Sequence, residues 1–360
     1  MFEENNFTND NQTANQTQQP PQSENNFNNS VGYAPYGFTP ETYRQKKEIR
    51  RTAAAVGVPA LCLSLVVYVW SFVYIFFTVN VAGMSYNSAV ELSQDAAFQQ
   101  VMQIILSCLM FLVPFPIAAR CAGFKIGDLL KLGKPQKQTA LPFILIGLGF
   151  CSFANIASSY SSSFFESFGI KYEVDYGENP SGVLGFLLTL IATAVVPALV
   201  EEFACRGIVL GMLRKHGDVF AIIASSVVFG VMHGNFDQMP FAIIIGLILG
   251  YVYVKTDSLW VSIALHFANN AVSVIMTYLS DIITSNNISN LIYMVYLIIS
   301  LLVGILGICM LSKRGADVYT LKNQDTKEVE KNKYKWFFTS WLIIVFLVLN
   351  FIDSLAYFVI

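Results

Sequence analysis

An all-α fold, a polytopic transmembrane bundle of about eight or nine helices, is predicted by three features of the 360-residue sequence. Hydrophobic residues make up 54% of the chain, and charged residues only 13%. Soluble domains carry roughly twice that share of charge, so a water-soluble fold of this length could not cover its own surface. The apolar residues also fall into runs near the ~20 residues that a helix needs to cross a bilayer. Finally, Lys and Arg alternate between successive connecting segments, as the positive-inside rule requires of a multi-pass protein.

The elements follow in order. Residues 1–43 form an Asn-, Gln-, Thr- and Pro-rich arm (NNFTNDNQTANQTQQPPQSENNFNNS). Such a composition buries too little apolar surface to offset the entropy of ordering, so the arm is read as disordered. Its polar start speaks against a secretory signal peptide. The membrane core, 44–312, opens with Arg44, Lys46, Lys47, Arg50 and Arg51. Apolar runs then span 53–79, 101–119, 140–160, 182–203, 218–236, 239–255, 258–280 and 290–311. A charged linker, 313–335, leads to a ninth run at 336–358, the last helix of a segment ending at 360. The segment 80–100 has no Lys or Arg, and 161–181 carries Glu166, Glu173, Asp175 and Glu178 against one Lys. The segment 120–139 holds Arg120 and four Lys, and basic pairs follow the fourth and eighth runs. This pattern puts the protein in the cell membrane with the N-terminus cytoplasmic.

Composition excludes several functions. A net charge of −2 gives no footprint for nucleic acid. Six cysteines, none in a C-x-x-C pair, read as small core residues rather than disulfides or a metal cluster. The expected partners are the lipid bilayer and a peptide or membrane-protein substrate. Oligomeric state is not legible.

Ionisable residues inside membrane spans are costly and mark functional sites. The fourth run reads VVPALVEEFACRG, the fifth SSVVFGVMHGN and the seventh SIALHFANNAVS. Glu202 and Arg206 are four residues apart, share a helix face and can pair, while Glu201 is rotated by about 100° and points elsewhere. His266 and Asn270 form a second stripe, and Phe229 lies one turn before His233. A carboxylate, two imidazoles and an amide meeting between three helices would supply a base for water and donors for an oxyanion. His216, in the basic turn Arg214–Lys215–His216, reads as a solvated loop residue. Asn155 is expected to bond a neighbouring helix. Pro114, Pro116 and Pro197 are expected to kink helices. Counting ~1.5 Å per residue puts Glu201 and His233 roughly 22 and 25 Å from the turn near His216, and His266 roughly 13 Å from the start of its run. Helices four and five would then protrude on the cytoplasmic side, to which the site would open.

The motifs E-E-x-x-x-R (Glu201 to Arg206), F-x-x-x-H (Phe229 to His233) and H-x-x-x-N (His266 to Asn270) together resemble the CAAX-protease and bacteriocin-processing (CPBP, or Abi) family, over roughly residues 140–280. Each motif is weak alone; their order within apolar runs makes the set specific. The resemblance implies an intramembrane endopeptidase. Glu201 would be the base, His233 would help hold the water, His266 and Asn270 would stabilise the oxyanion, and Glu202–Arg206 would be a structural pair. Asn269, beside Asn270, leaves the amide assignment open. Two histidines and a carboxylate also suit zinc, so either no cofactor or zinc at Glu201, His233 and His266 is compatible with the motifs, although H-E-x-x-H is absent. A non-catalytic scaffold or immunity protein of the same fold is the alternative. A proton-relaying transporter is a third, against which the lack of two matching halves speaks.

Overall fold

The computed structural model describes residues 39–359 except 136, 170, 173, 175, 176, 284, 315–318 and 324–326. The described residues are 82% helical and form a polytopic helical bundle. In chain order the helices are α1 (Pro40–Asn80), α2 (Tyr86–Gln94), α3 (Ala96–Leu112), α4 (Pro114–Cys121), α5 (Ile126–Leu129) and α6 (Lys137–Glu166). Then come α7 (Gly182–Leu190), α8 (Val196–Glu202), α9 (Gly211–Leu213), α10 (Asp218–Val231), α11 (Gln238–Thr256), α12 (Leu259–Ile282), α13 (Asn286–Ser312), α14 (Lys327–Phe338) and α15 (Trp341–Leu355). Two short strands, β1 (Lys171–Tyr172) and β2 (Phe358–Val359), pair antiparallel.

Among the described residues seven helical stretches are long and apolar enough to cross a membrane, or eight if α14 and α15, bent by 55°, count as one. The nine runs of the sequence reduce to this number for two reasons. The fifth is a 14-residue helix, α10, shorter than a span. It stops because Gly234 takes φ +67° and donates its N–H back to Val231 O at 3.0 Å. The ninth run is only the second arm of the bent pair.

The N-terminal arm gives way to helix at Pro40, with Thr39 Oγ1 accepting from Thr42 N as the cap; residues 1–38 of the proposed arm lie outside the described residues, as do Glu173 and Asp175. Nor is 313–335 simply a linker. From Lys327 it opens α14, which runs on to Phe338 and whose Val329, Trp336 and Phe337 enter the main core against α1 and α10. Lys333 is 1% exposed and donates to His216 O at 2.8 Å. His216 is consequently buried, not solvated, with its ring edge-on to Phe220.

The predicted cross-helix bond of Asn155 runs to Tyr296 Oη of α13 at 3.4 Å. Pro114 opens α4 where α3 ends. Cys151 and Cys205 are core residues, whereas Cys62, Cys121 and Cys309 are exposed. A thiol is apolar enough to face hydrocarbon, so the lipid side is open to it as well as the core. Large outward side chains such as Phe72, Leu184 and Leu302 follow the same logic.

The basic segments gather at one end of the bundle. Arg214 bonds Asp218 Oδ1 at 2.9 Å and Asp257 Oδ1 at 2.7 Å, and Lys255 bonds Thr320 O at 2.6 Å. The β1–β2 pair and the turn after α10 gather at the other end, where Phe236 N donates to Tyr172 Oη.

Candidate active site

The site is built on a helical stretch that changes its winding twice. Between α7 and α8, residues Ile191–Val195 form a π-turn; after α8, Phe203–Leu210 form a longer one. Such insertions shift hydrogen bonds from i→i+4 to i→i+5 and recur at functional sites. Pro197 is one contributor, since it has no N–H to give to the preceding turn. The seven residues between the π segments, Val196–Glu202, present the two carboxylates.

Glu202 is completely buried, and its Oε1 forms an ion pair with Arg206 and accepts a hydrogen bond from His266. Arg206 Nη1 lies 2.8 Å away and His266 Nδ1 2.9 Å away. Its Oε2 is without a hydrogen bond, with Ser262, whose hydroxyl donates to Leu259 O, close by. Arg206, 1% exposed, also donates to Gly246 O at 3.3 Å and lies over the Phe229 ring, 4.4 Å from its centre. Gly246 lets α11 pack closely on α10, since a Cβ there would come within 2.9 Å of the Ser226 side chain.

Glu201 is rotated away from that pair, and its side chain retains 17% exposure. Its Oε2 is 3.9 Å from His266 Nε2. Because a carboxylate only accepts, the Glu202 bond puts a proton on His266 Nδ1. A neutral ring would then aim its Nε2 lone pair at Glu201, acceptor against acceptor. A second proton on the ring removes the conflict, and so does a water between the two.

Phe229 joins the second histidine to this group. Its ring stands edge-on to His233 at 5.1 Å and to His266 at 6.1 Å between centroids. His233 Nδ1 donates to Phe229 O at 2.9 Å, so Nε2 is the nitrogen left for a ligand. Asn270, one turn beyond His266, donates from Nδ2 to Thr193 O of the first π-turn at 3.0 Å. Its amide has a second N–H to offer. Asn269 Nδ2 donates to Asn270 Oδ1 at 3.1 Å, and Asn269 Oδ1 is buried without a partner.

The structure thus brings Glu201, Glu202, Arg206 and His266 into direct contact, attaches His233 through Phe229, and ties Asn270 to the π-turn. Among the described residues no three His, Cys, Asp or Glu side chains form a group able to hold a metal ion, and this includes Glu201, His233 and His266. The donor set does not fit zinc as arranged. Nor does helix four overshoot its neighbours: Arg214, at its end, bonds Asp257, just before α12 begins. The wider winding of Phe203–Leu210 takes up the residues that a uniform α-helix would have turned into length. Sequence reasoning missed Thr193 and the bond between Glu202 and His266, because neither a π-turn nor a contact between distant helices leaves a local pattern.

Residues 183–272 match the family model described as Type II CAAX prenyl endopeptidase Rce1-like. Over 114 residues the chain is 32% identical to the Bacillus subtilis (strain 168) protein named Putative membrane peptidase YdiL. That match covers 30% of this chain and 46% of the relative, so the chain spans about half the length of the curated protein it matches. No solved structure matches the chain. All the motif residues, Glu201 to Asn270, fall within the matched segment. The motif-bearing segment of this multi-pass membrane protein is therefore similar to the Rce1-like CAAX prenyl endopeptidases.

Proposed function

We propose that the protein is an intramembrane endopeptidase that hydrolyses peptide bonds of membrane-associated or CAAX-like substrates without a metal. The observation that carries this reading is the division of labour between adjacent carboxylates. Glu202 is spent on Arg206 and His266, while Glu201 is partly exposed and adjoins His266 Nε2. Glu201 takes a proton from water as the water oxygen attacks the scissile carbonyl carbon, and His233 Nε2 holds that water. The doubly protonated His266 donates from Nε2 to the developing oxyanion, joined by the second N–H of Asn270. Collapse of the tetrahedral species breaks the C–N bond, and Glu201 returns its proton to the leaving amine. The N-terminus faces the cytoplasm, in line with the clustering of basic segments at one end.

Comparative proteomics of membrane peptides tests the reading, with cells carrying the native protein set against cells carrying Glu201→Gln. The variant keeps shape and hydrogen bonding but removes basicity. It should abolish cleavage while remaining folded and membrane-inserted, and His233→Ala should lose activity by about 10²–10⁴. Purified Glu201→Gln that cleaves a verified substrate at the native rate would remove the chemical basis of the assignment.

A further inference from the structure

The turn that follows α10 carries His233 and has little helix to hold it. His233 N donates to Gly230 O at 3.2 Å and Gly234 N to Val231 O at 3.0 Å. Asn235 Nδ2 donates to His233 O at 3.0 Å, and its Oδ1 accepts from Gln238 N at 2.8 Å to start α11. Between those two anchors lies Phe236, whose backbone N–H donates to the Tyr172 hydroxyl at 2.6 Å.

Tyr172 is itself held on two sides. It belongs to β1, which pairs with β2 through Tyr172 and Phe358. Its ring packs against Phe165, Tyr357 and Phe358, with centroids 5.2, 6.0 and 5.0 Å away, and against Phe236 at 6.0 Å. Burial pushes the Tyr172 hydroxyl above its ordinary pKa, so at neutral pH it is a neutral phenol that can accept an N–H and keep its own proton. A buried aromatic with one satisfied polar tip is a stiff strut, since few rotamers are open to it.

We infer that Tyr172 is a positioning residue for His233: clamped by the β1–β2 pair, its hydroxyl fixes the Phe236 backbone and through it the orientation of the His233 ring. The inference rests on the protease reading for its kinetic consequence but not for its structural one. The same segment therefore does two jobs, closing the end of the bundle away from the basic loops and setting the geometry of the site.

Full-length protein in lipid nanodiscs tests this with Tyr172→Phe, which keeps the ring and deletes the acceptor. One measurement needs no substrate: the rate at which diethyl pyrocarbonate acylates His233, followed by mass spectrometry, with added N-acetylhistidine as internal reference. The second is cleavage kinetics in native and His233→Ala backgrounds. The expected results are a change of about five-fold in the His233 acylation rate and a fall of about five- to ten-fold in kcat. KM and melting temperature should stay close to native, and the variant should have no further effect once His233 is removed. An unchanged His233 acylation rate overturns the proposal, and so does a kcat loss that persists at full size in His233→Ala. If Glu201→Gln cleaves normally, the protease reading fails alone, and the acylation rate still decides the role of Tyr172.

Discussion

Two charge clusters, one buried and one partly exposed, lie close together along the chain and are finished in opposite ways. At the basic end, Asp218 spends both carboxylate oxygens: Oδ1 on Arg214 at 2.9 Å and Oδ2 on Lys322 N at 2.8 Å. Asp218 N returns a bond to Lys322 O at 2.8 Å, and Arg214 finds a second carboxylate in Asp257. Arg214 and both Asp218 oxygens are committed, and the cluster fastens the segment before α14 to the start of α10. In the site, Glu202 offers one oxygen to both Arg206 and His266 and leaves the other without a bond, and a partly exposed carboxylate stands beside it. A closed network is a brace. An open one, with unused acceptors and a neighbour accessible to water, is where a reacting molecule can be received.

The largest effect should come from opening each network by one charge. Glu202→Gln leaves Arg206 buried with no counter-charge, a loss of the order of 3–5 kcal/mol. Asp218→Asn leaves Arg214 its Asp257 partner and a side chain already 23% exposed, so about 1 kcal/mol is expected. Thermal unfolding in detergent should rank the two that way, and activity should survive only in Asp218→Asn. Equal destabilisation would mean that the site cluster is no more than a second brace.

Asn270→Ala sharpens the same contrast at smaller scale. Removing one oxyanion donor should lower kcat by about 10²–10³. The bond to Thr193 O goes too, so Thr193 is freed in the π-turn that precedes α8. Asn269→Ala removes the bond that orients the Asn270 amide but leaves that amide in place. It should cost activity by less than Asn270→Ala, and single-turnover rates for the pair would show it. An Asn269 effect larger than that of Asn270 would exchange their roles.

Much of this was readable in the sequence where the signal is local. Apolar runs announce the long helices because a bilayer demands an uninterrupted stretch. The i,i+4 spacing of Glu202 and Arg206 announces their pair. The misread parts depend on features that averages hide. In 313–335 the charges mask Val329, while the stripe continues through Trp336 and Phe337 to anchor α14. The run 218–236 looks long enough to span, yet one glycine in a left-handed conformation ends its helix. The two π-turns leave no compositional trace, since they are a change in hydrogen-bond register. So the sequence motifs, with the ~100° step between Glu201 and Glu202, point to the residues of the site, while the two π-turns that flank them appear only in three dimensions.

The smallest expected effect is none at all, on removing metal. A zinc site would need Glu201, His233 and His266 to present lone pairs to one point. His266 Nδ1 is committed to Glu202, and its Nε2 faces Glu201 across 3.9 Å, while His233 meets them only around the Phe229 ring. Zinc ligands lie at about 2.0–2.2 Å from the ion, and a nitrogen that donates a hydrogen cannot also bind it. For zinc to enter, His266 Nε2 would have to stay unprotonated and His233 would have to swing past Phe229, against the anchor of its Nδ1 on Phe229 O. Dialysis against a strong chelator, with metal content checked by atomic emission, should therefore leave cleavage within about two-fold of native. Loss of activity that added zinc restores would show that the three side chains do converge in solution. It would also move Glu201 from general base to ligand, and the contrast between a braced and an open carboxylate would then describe a metal site instead.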